Sequence, residues 1–395
     1  MNRTGEGSPT RKLHESRVLE LLRTSGAMTR GELADATGIT RSTISEIVTD
    51  MLDRGAVVVA GTDRDRPGRG RRAEHILLDP SAGQYLGIDI RHDRADIVVT
   101  NASYSIIASD QCHYPTGTPW ADRIEFITAA INYLAVTHHI TIDVLQAVGV
   151  GIPGPFLASD PTQHEGIGPL VNETLSRQLH APVVVENNVR LAALAEASWD
   201  RPSPVPSLMY VRFGAGVGGG IVIDGTVLNG FHGSGSEIGH INVGVPTLRC
   251  RCGDTGCLEM VAANPALLRT ANEAGADVTT IADLAELADE EPVRSILERM
   301  CDAIAQVLTA AIRVIDPSDI VIAGEIFTRR PELIEAIEDR ISASALTRRA
   351  GALTCQLARL GTDAGALGGI CAVADLPHLP FSSRGTRAGA YLVTA

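Results

Sequence analysis

Two β-β-β-α-β-α halves are written one after the other in the larger part of this chain, and that repetition limits the folds open to it. GQYLGIDIRHDRADIVVTNASYSIIASDQCHY, residues 83–114, predicts three successive strands joined by short turns. WADRIEFITAAINYLAV then reads as a helix, LQAVGVGIPGPF as a buried strand running into a turn, and APVVVENN as a strand feeding the helix VRLAALAEASW. The second half repeats the theme with strands in SLMYVRFGAGVGGGIVIDGTVL, long helices from about 281 to 315, and a buried strand DIVIAGEIF. Two α/β halves of this kind predict two lobes with a cleft between them, within residues 80–395 and dividing near residue 200 into lobes of about 80–200 and 201–395. With 395 residues and 44% hydrophobic content, the chain can bury more than one core.

Residues 1–79 read as a separate unit. SRVLELLRTSG, TRGELADATG and ITRSTISEIVTDMLDRG are three helices, each closed by a glycine (Gly26, Gly38, Gly55), and Thr40 is placed to cap the third. Gly38 allows the left-handed turn of a helix-turn-helix, and Ala34 lets the second and third helices approach closely. Arg41, Ser42, Thr43 and Ser45 remain on the outer N-terminal part of the third helix, where a recognition helix meets base edges. The following AVVVAGTDRDRPGRGRRAEHILLDP predicts a wing whose tip carries Arg66, Arg69, Arg71 and Arg72, suited to phosphates or a minor groove. Charge follows the same division. The first 79 residues hold 13 Arg or Lys against 12 Asp or Glu, a net of +1, and the remainder 21 against 35, a net of −14. The total of −13 therefore does not exclude a DNA-binding module on an acidic body.

GHINVGVPTLRCRCGDTGCLE, residues 239–259, places His240, Cys250, Cys252 and Cys257 in a His-x9-Cys-x-Cys-x4-Cys pattern. One imidazole and three thiolates make a closed tetrahedral set suited to a structural Zn²⁺, with no open position for a reacting water. The ion would tie a 240–257 loop that has too little core of its own. The N-terminal stretch lacks the apolar run of a signal peptide, and no segment reaches the roughly 18 apolar residues of a membrane span. The expectation is a cytoplasmic protein without membrane contact, its seven cysteines kept as thiols and metal ligands.

With these motifs in view, the chain resembles the ROK family (repressors, open reading frames and sugar kinases) over nearly its whole length. The cysteine cluster with its flanking SEIGH and GCLE is the most specific part. The resemblance implies an actin-like (ribonuclease H-like) bilobal α/β domain behind a winged helix-turn-helix. It also implies sugar contacts at the edges of the zinc loop, from Asn187, Asn188, Glu237, His240 and Glu259. Carboxylates suit such a task because each accepts hydrogen bonds from adjacent hydroxyls.

Two features of the resembling kinases are missing. Their first strand-turn carries Asp-x-Gly-Gly-Thr for nucleotide phosphates, whereas this chain has GIDIRHDRAD, with Arg91, His92 and Asp93 in the way. After VVVEN they place the aspartate that takes the proton from the attacking hydroxyl, and Asn188 stands here instead. A neutral amide cannot be that base. The Gly-rich FGAGVGGG survives but is explained by a tight hairpin alone. The expectation is a non-enzymatic, sugar-responsive repressor, binding an inverted-repeat operator as a homodimer or dimer of dimers, with a small sugar as effector. A ROK sugar kinase with an accessory DNA-binding domain is the alternative, and a sensor receiving a partner protein in place of sugar is a third.

Overall fold

A computed structural model describes residues 9–53, 55–62, 73–79, 83–138, 140, 145–154, 167–201, 205–245, 248–343 and 354–374. The three predicted N-terminal helices are α1 (Pro9–Ser25), α2 (Arg30–Thr37) and α3 (Arg41–Asp53). A short β1 (Met28–Thr29) pairs with β3 (Glu74–Leu78), which also pairs antiparallel with β2 (Val57–Thr62). The first helix starts about two turns earlier than its apolar pattern predicts, because nothing between Pro9 and Gly26 breaks it and proline is well accommodated in a first turn. Thr29 and Glu32 form a reciprocal capping box on α2, and Gly38 closes it in the left-handed region at φ 70°. Val18, Leu19, Leu22, Leu33, Ile44, Ile47, Val48 and Met51 close the core of this unit. The wing tip, with Arg66, Arg69, Arg71 and Arg72, lies outside the described residues.

The first lobe is built on a five-stranded sheet in the order β6-β5-β4-β7-β8. Its strands are β4 (Gln84–Ile90), β5 (Arg94–Asn101), β6 (Ile106–His113), β7 (Leu145–Ile152) and β8 (Val183–Asn187). β4, β5 and β6 form an antiparallel meander, and β7 and β8 add in parallel through helical crossovers. Those crossovers are α4 (Trp120–Thr137) and α5 (Ile167–Leu179), which bury their apolar stripes on one face of the sheet. The second of them had not been expected from the sequence, although Val171, Leu175 and Leu179 recur at helical spacing and are all buried.

The second lobe repeats the plan in the order β11-β10-β9-β12-β13. Its strands are β9 (Ser207–Phe213), β10 (Val217–Ile223), β11 (Thr226–Val227), β12 (Asp319–Ala323) and β13 (Thr354–Leu357). The helices are α6 (Asn188–Ser198) from the first half, then α7 (Glu259–Ala262), α8 (Asn264–Glu273), α9 (Ile281–Glu286), α10 (Val293–Ile315), α11 (Glu325–Arg329), α12 (Glu332–Ser342) and α13 (Ala364–Ala374). The helical run from about 281 resolves into α9 and α10 on either side of Pro292, which cannot continue an interior turn. DIVIAGEIF is a strand only as far as Ala323, and after Gly324 the remaining Glu325, Ile326 and Phe327 begin α11.

Between the two sheets lie α6 and α13. α6 packs Val189, Ala193 and Ala197 against Leu208, Tyr210 and Val222 of the second sheet, while α13 sets Ala366, Leu367 and Ile370 against Tyr85, Val98 and Ala147 of the first. α13 lies so close that a Cβ on Gly149 would meet the Gly369 carbonyl oxygen at 2.0 Å. A division at residue 200 therefore cuts across the packing twice: α6 precedes it in the chain yet packs on the second sheet, and α13 follows it yet packs on the first as well as the second. Among the described residues no helix is long and apolar enough to cross a membrane.

Candidate functional site

Strand β8 delivers Glu186 and Asn187 to the start of α6, where the chain must turn from a parallel strand into a helix. Asn187 is the N-cap of that helix, its Oδ1 accepting from the Val189 and Arg190 amides at 2.8 and 3.2 Å, while its Nδ2 donates to the Gly154 carbonyl at 2.8 Å. Asn188 is buried, and its Nδ2 donates to Asp89 Oδ1 at 2.9 Å and toward the Ile90 carbonyl at 3.5 Å. Of the two asparagines expected at a sugar, one caps a helix and the other faces the first β-turn.

That turn is filled by its own side chains. Arg91 pairs with Asp89 and Asp96, each at 3.0 Å, and Arg91 Nη2 donates to the Thr362 carbonyl at 2.7 Å. Arg94 reaches Asp96 at 3.3 Å, and Arg212 of β9 approaches Asp89 at 3.6 Å from the opposite lobe. Both aspartates are fully buried. Burial raises the Asp96 carboxyl above its ordinary range against the pull of Arg91 and Arg94. The turn read from the sequence as too bulky for phosphate is thus held by ion pairs among Arg91, Arg94, Arg212, Asp89 and Asp96.

On the facing side, a single turn of 3-10 helix (Ile238–His240) follows Glu237. Glu237 is partly buried, with Oε1 3.7 Å from Arg190 Nη2. Burial raises its carboxyl above the usual range, while the Arg190 charge works in the other direction. Glu259 opens α7 and is buried. Its Oε2 accepts from the Val217 amide at 3.0 Å, and Arg251 grips both oxygens at 3.0 and 3.4 Å. This carboxylate thereby ties the cysteine-bearing loop to the glycine-rich β9–β10 hairpin. The charges of Glu259, His240 and Arg251 all act on Glu237, so the two acids share one electrostatic neighbourhood.

His240, Cys250, Cys252 and Cys257 are brought together with their ligand atoms all within 4.8 Å of one another. Cys250 Sγ lies 3.5 Å from His240 Nδ1, and the Cys252 and Cys257 sulfurs are 3.6 Å apart. A Zn–S length of about 2.3 Å puts the corners of a tetrahedron about 3.8 Å apart, so the donor set fits that ion in both spacing and chemistry. Backbone pairing shapes the loop: Cys250 N donates to Asp254 O, Val243 N to Gly256 O, and Leu258 N to Ile241 O. Burial pushes the Cys257 thiol up to about 12 and raises that of Cys250, so a cation has to displace protons to bind.

At the far end of the chain, Arg41 and Ser42 are exposed and Thr43 and Ser45 half-buried on the first turns of α3. The Thr40 hydroxyl lies 2.9 Å from that of Thr43 and 3.1 Å from that of Ser42, a cap over the helix start.

Residues 85–375 match the sequence profile of the ROK family. The chain belongs to that family. Residues 10–66 match the profile of the MarR family, whose fold the N-terminal winged helix shares. Among the relatives of this ROK chain is the xylose repressor of Bacillus spizizenii, 24% identical over 371 residues that cover 91% of this chain and 94% of that protein. A glucokinase of Halalkalibacterium halodurans is 30% identical over 316 residues, covering 72% of this chain and 93% of its own. The crystal structure of a ROK family transcriptional regulator, a homologue of the E. coli MLC protein, superimposes with a TM-score of 0.76 at 21% identity, covering 92% of this chain and 96% of that one. The ROK fold is thus present together with the winged helix.

Four side chains at this ROK site had not been singled out from the sequence: Glu186, Arg190, Arg251 and Asp89. Arg251 carried a signal, since it sits between two ligand cysteines. Arg190 carried none, because an arginine inside VRLAALAEASW reads as the solvent side of a helix, whereas it is 1% exposed.

Proposed function

We propose that this chain is a sugar-responsive, DNA-binding repressor that does not transfer phosphate. The observation that carries the reading is the use made of Asn188: its amide is spent on Asp89, inside a cluster already neutralised by Arg91, Arg94 and Arg212. No group at that position can accept a proton from a sugar hydroxyl, and general-base loss typically costs ~10²–10⁴ in rate. The winged helix, and relatedness over 91% of the chain to a protein named as a xylose repressor, support an aldose as the class of effector. Glu237, Glu259 and His240 then line the effector side of the cleft, and α3 with the wing arginines meets operator DNA. Zinc, held by His240, Cys250, Cys252 and Cys257, is structural in this reading. Two copies of the chain bind an inverted repeat, since one helix-turn-helix spans too few base pairs for specificity.

The relationship to a glucokinase keeps one rival reading in play, that of an enzyme with an added DNA-binding domain. Both are tested on the intact chain. Fluorescence anisotropy with DNA from its own promoter region, with and without xylose, glucose and N-acetylglucosamine, is expected to show a tight complex that one sugar weakens. ATP-dependent phosphorylation of any of the three would replace the repressor reading with the kinase one.

A further inference from the structure

We propose that Arg190 is the positioning residue of the effector site, holding the 229–237 loop, and Glu237 with it, against the first turn of α6. The proposal rests on the reading of Glu237 as an effector contact. Its geometry stands apart from that reading. Arg190 projects from α6 and is 1% exposed, and its guanidinium is met there by carbonyls and carboxylates. Its Nη2 donates to the Gly233 carbonyl at 2.5 Å and the Gly235 carbonyl at 3.0 Å, and lies 3.7 Å from Glu237 Oε1; its Nη1 reaches Glu186 Oε1 at 3.4 Å.

The loop needs such a partner. Residues 229–237 form neither helix nor strand, and the backbone bonds within them are few, from Gly233 N to Gly230 O and from Gly235 N to Asn229 O. A carbonyl withdrawn from water needs a donor, and the guanidinium supplies one to buried Gly233 and to half-buried Gly235 from a single side chain. Asn229 adds the second tether, donating from Nδ2 to Glu186 Oε2 at 3.1 Å. Glu186 in turn accepts from the Asn187 amide at 2.7 Å. One acid and one arginine, four residues apart around the strand-to-helix junction, therefore fix both ends of the loop. The loop's own acid, Glu237, is delivered to the cleft at its C-terminal end. A planar five-donor fork can serve two carbonyls and two carboxylates at once, which the point charge of a lysine on its flexible stem cannot.

Arg190→Lys separates charge from geometry, and Glu186→Gln removes one partner while keeping its shape. Both are measured in the full-length protein by hydrogen exchange, thermal unfolding and titration with xylose, glucose and N-acetylglucosamine. The expected result is exchange about tenfold faster within 229–238 in Arg190→Lys, and a smaller acceleration at the same amides in Glu186→Gln. Exchange across the 240–257 loop and both sheets should stay as in the parent, along with operator affinity. Affinity for whichever sugar binds the parent should fall about tenfold or more in Arg190→Lys. If Arg190→Lys does not fold, the Glu186→Gln exchange pattern decides. Unchanged exchange in 229–238, or acceleration spread evenly over both lobes, would overturn the proposal. Should none of the three sugars bind the parent, the effector reading fails, while the exchange pattern still decides the role of Arg190.

Discussion

At the scale of single residues, the chain puts charge and proton chemistry in places that can be titrated. The cysteine cluster is one. Burial raises the thiols of Cys250 and Cys257, so those two carry protons at neutral pH, and a bound dication must expel them. We expect one zinc per chain by elemental analysis and release of about two protons or more when metal is returned to chelator-treated protein in weak buffer near pH 7. The sign follows: affinity falls as pH falls, because protons compete for the sulfurs. Proton-free uptake would show that the thiols are not the ligands. Cys252→Ser should lose the metal and loosen the 240–257 loop, visible as faster proteolysis there. Asn188 is the second such place. Asn188→Asp would set a second carboxylate against Asp89, 2.9 Å from where the amide now donates. It cannot restore a base, since Arg91 and Arg212 still fill the turn. Like charges so close cannot both ionise, so one carboxyl holds its proton above the usual range. The variant should therefore be destabilised by ~1–3 kcal/mol near pH 7, with the loss shrinking as pH falls into the carboxylate range. Urea unfolding at pH 7 and pH 5 reads this directly, and an equal loss at both would place Asn188 outside the Asp89 cluster.

At the scale of elements, legibility followed burial pattern. The three N-terminal helices, the β4–β6 meander, β7, β8 and α6 all carry apolar runs of the period their structure requires, and all were readable. The exits were not. Where β12 stops at Ala323, Gly324 and Glu325 interrupt the apolar run before Ile326 and Phe327 resume it, and the change from strand to helix falls at that break. α13 was not read from the sequence, and nothing local says that its run of small residues crosses back to lie on β4 and β7. Within the site, the His240, Cys250, Cys252 and Cys257 cluster was legible because its spacing is itself the signal, and Arg190 was not, because its partners are backbone carbonyls some 40 residues away in sequence. The recognition helix is an intermediate case. Its inward face of Ile44, Ile47, Val48 and Met51 fixes which side is left for DNA. That side begins with Arg41 and Ser42, while the Thr43 hydroxyl is already engaged with Thr40. Arg41→Ala should therefore weaken the operator complex more than Thr43→Ala, by about 1–3 kcal/mol if the guanidinium reads a guanine. The loss should be smaller on random DNA. Equal losses on both DNAs would mean that Arg41 touches only the phosphate backbone.

At the scale of the whole molecule, the DNA-binding unit and the first lobe are joined by more than the chain that runs between them. Ala102, in the β5–β6 turn, is completely buried in the core of the winged helix. Two residues on, the Tyr104 ring lies beneath the Arg23 guanidinium of α1 at 4.3 Å. The same ring packs at 5.6 Å on Tyr85 and at 5.9 Å on Trp199. Trp199 is the C-cap of α6, the helix whose N-cap is Asn187 and whose Arg190 holds the effector loop. One helix of eleven residues thus has the cleft at one end and the DNA-binding unit at the other. A shift of α6 on sugar binding would reach α1 through one aromatic contact and one cation–π contact, without passing through the residues between β3 and β4. Tyr104→Leu keeps apolar bulk but removes the aromatic face that Arg23 and Trp199 share, a loss of ~0.5–2 kcal/mol at the contact. Sugar affinity and operator affinity, each measured alone, should change little. Their linkage should shrink. Sugar responses of this kind are typically ~5- to 150-fold in operator affinity, and in Tyr104→Leu the factor should fall toward unity. Anisotropy titrations of operator DNA across a range of sugar concentrations measure that factor, and a variant that kept the parent's full response would show that the signal travels by the connecting chain instead.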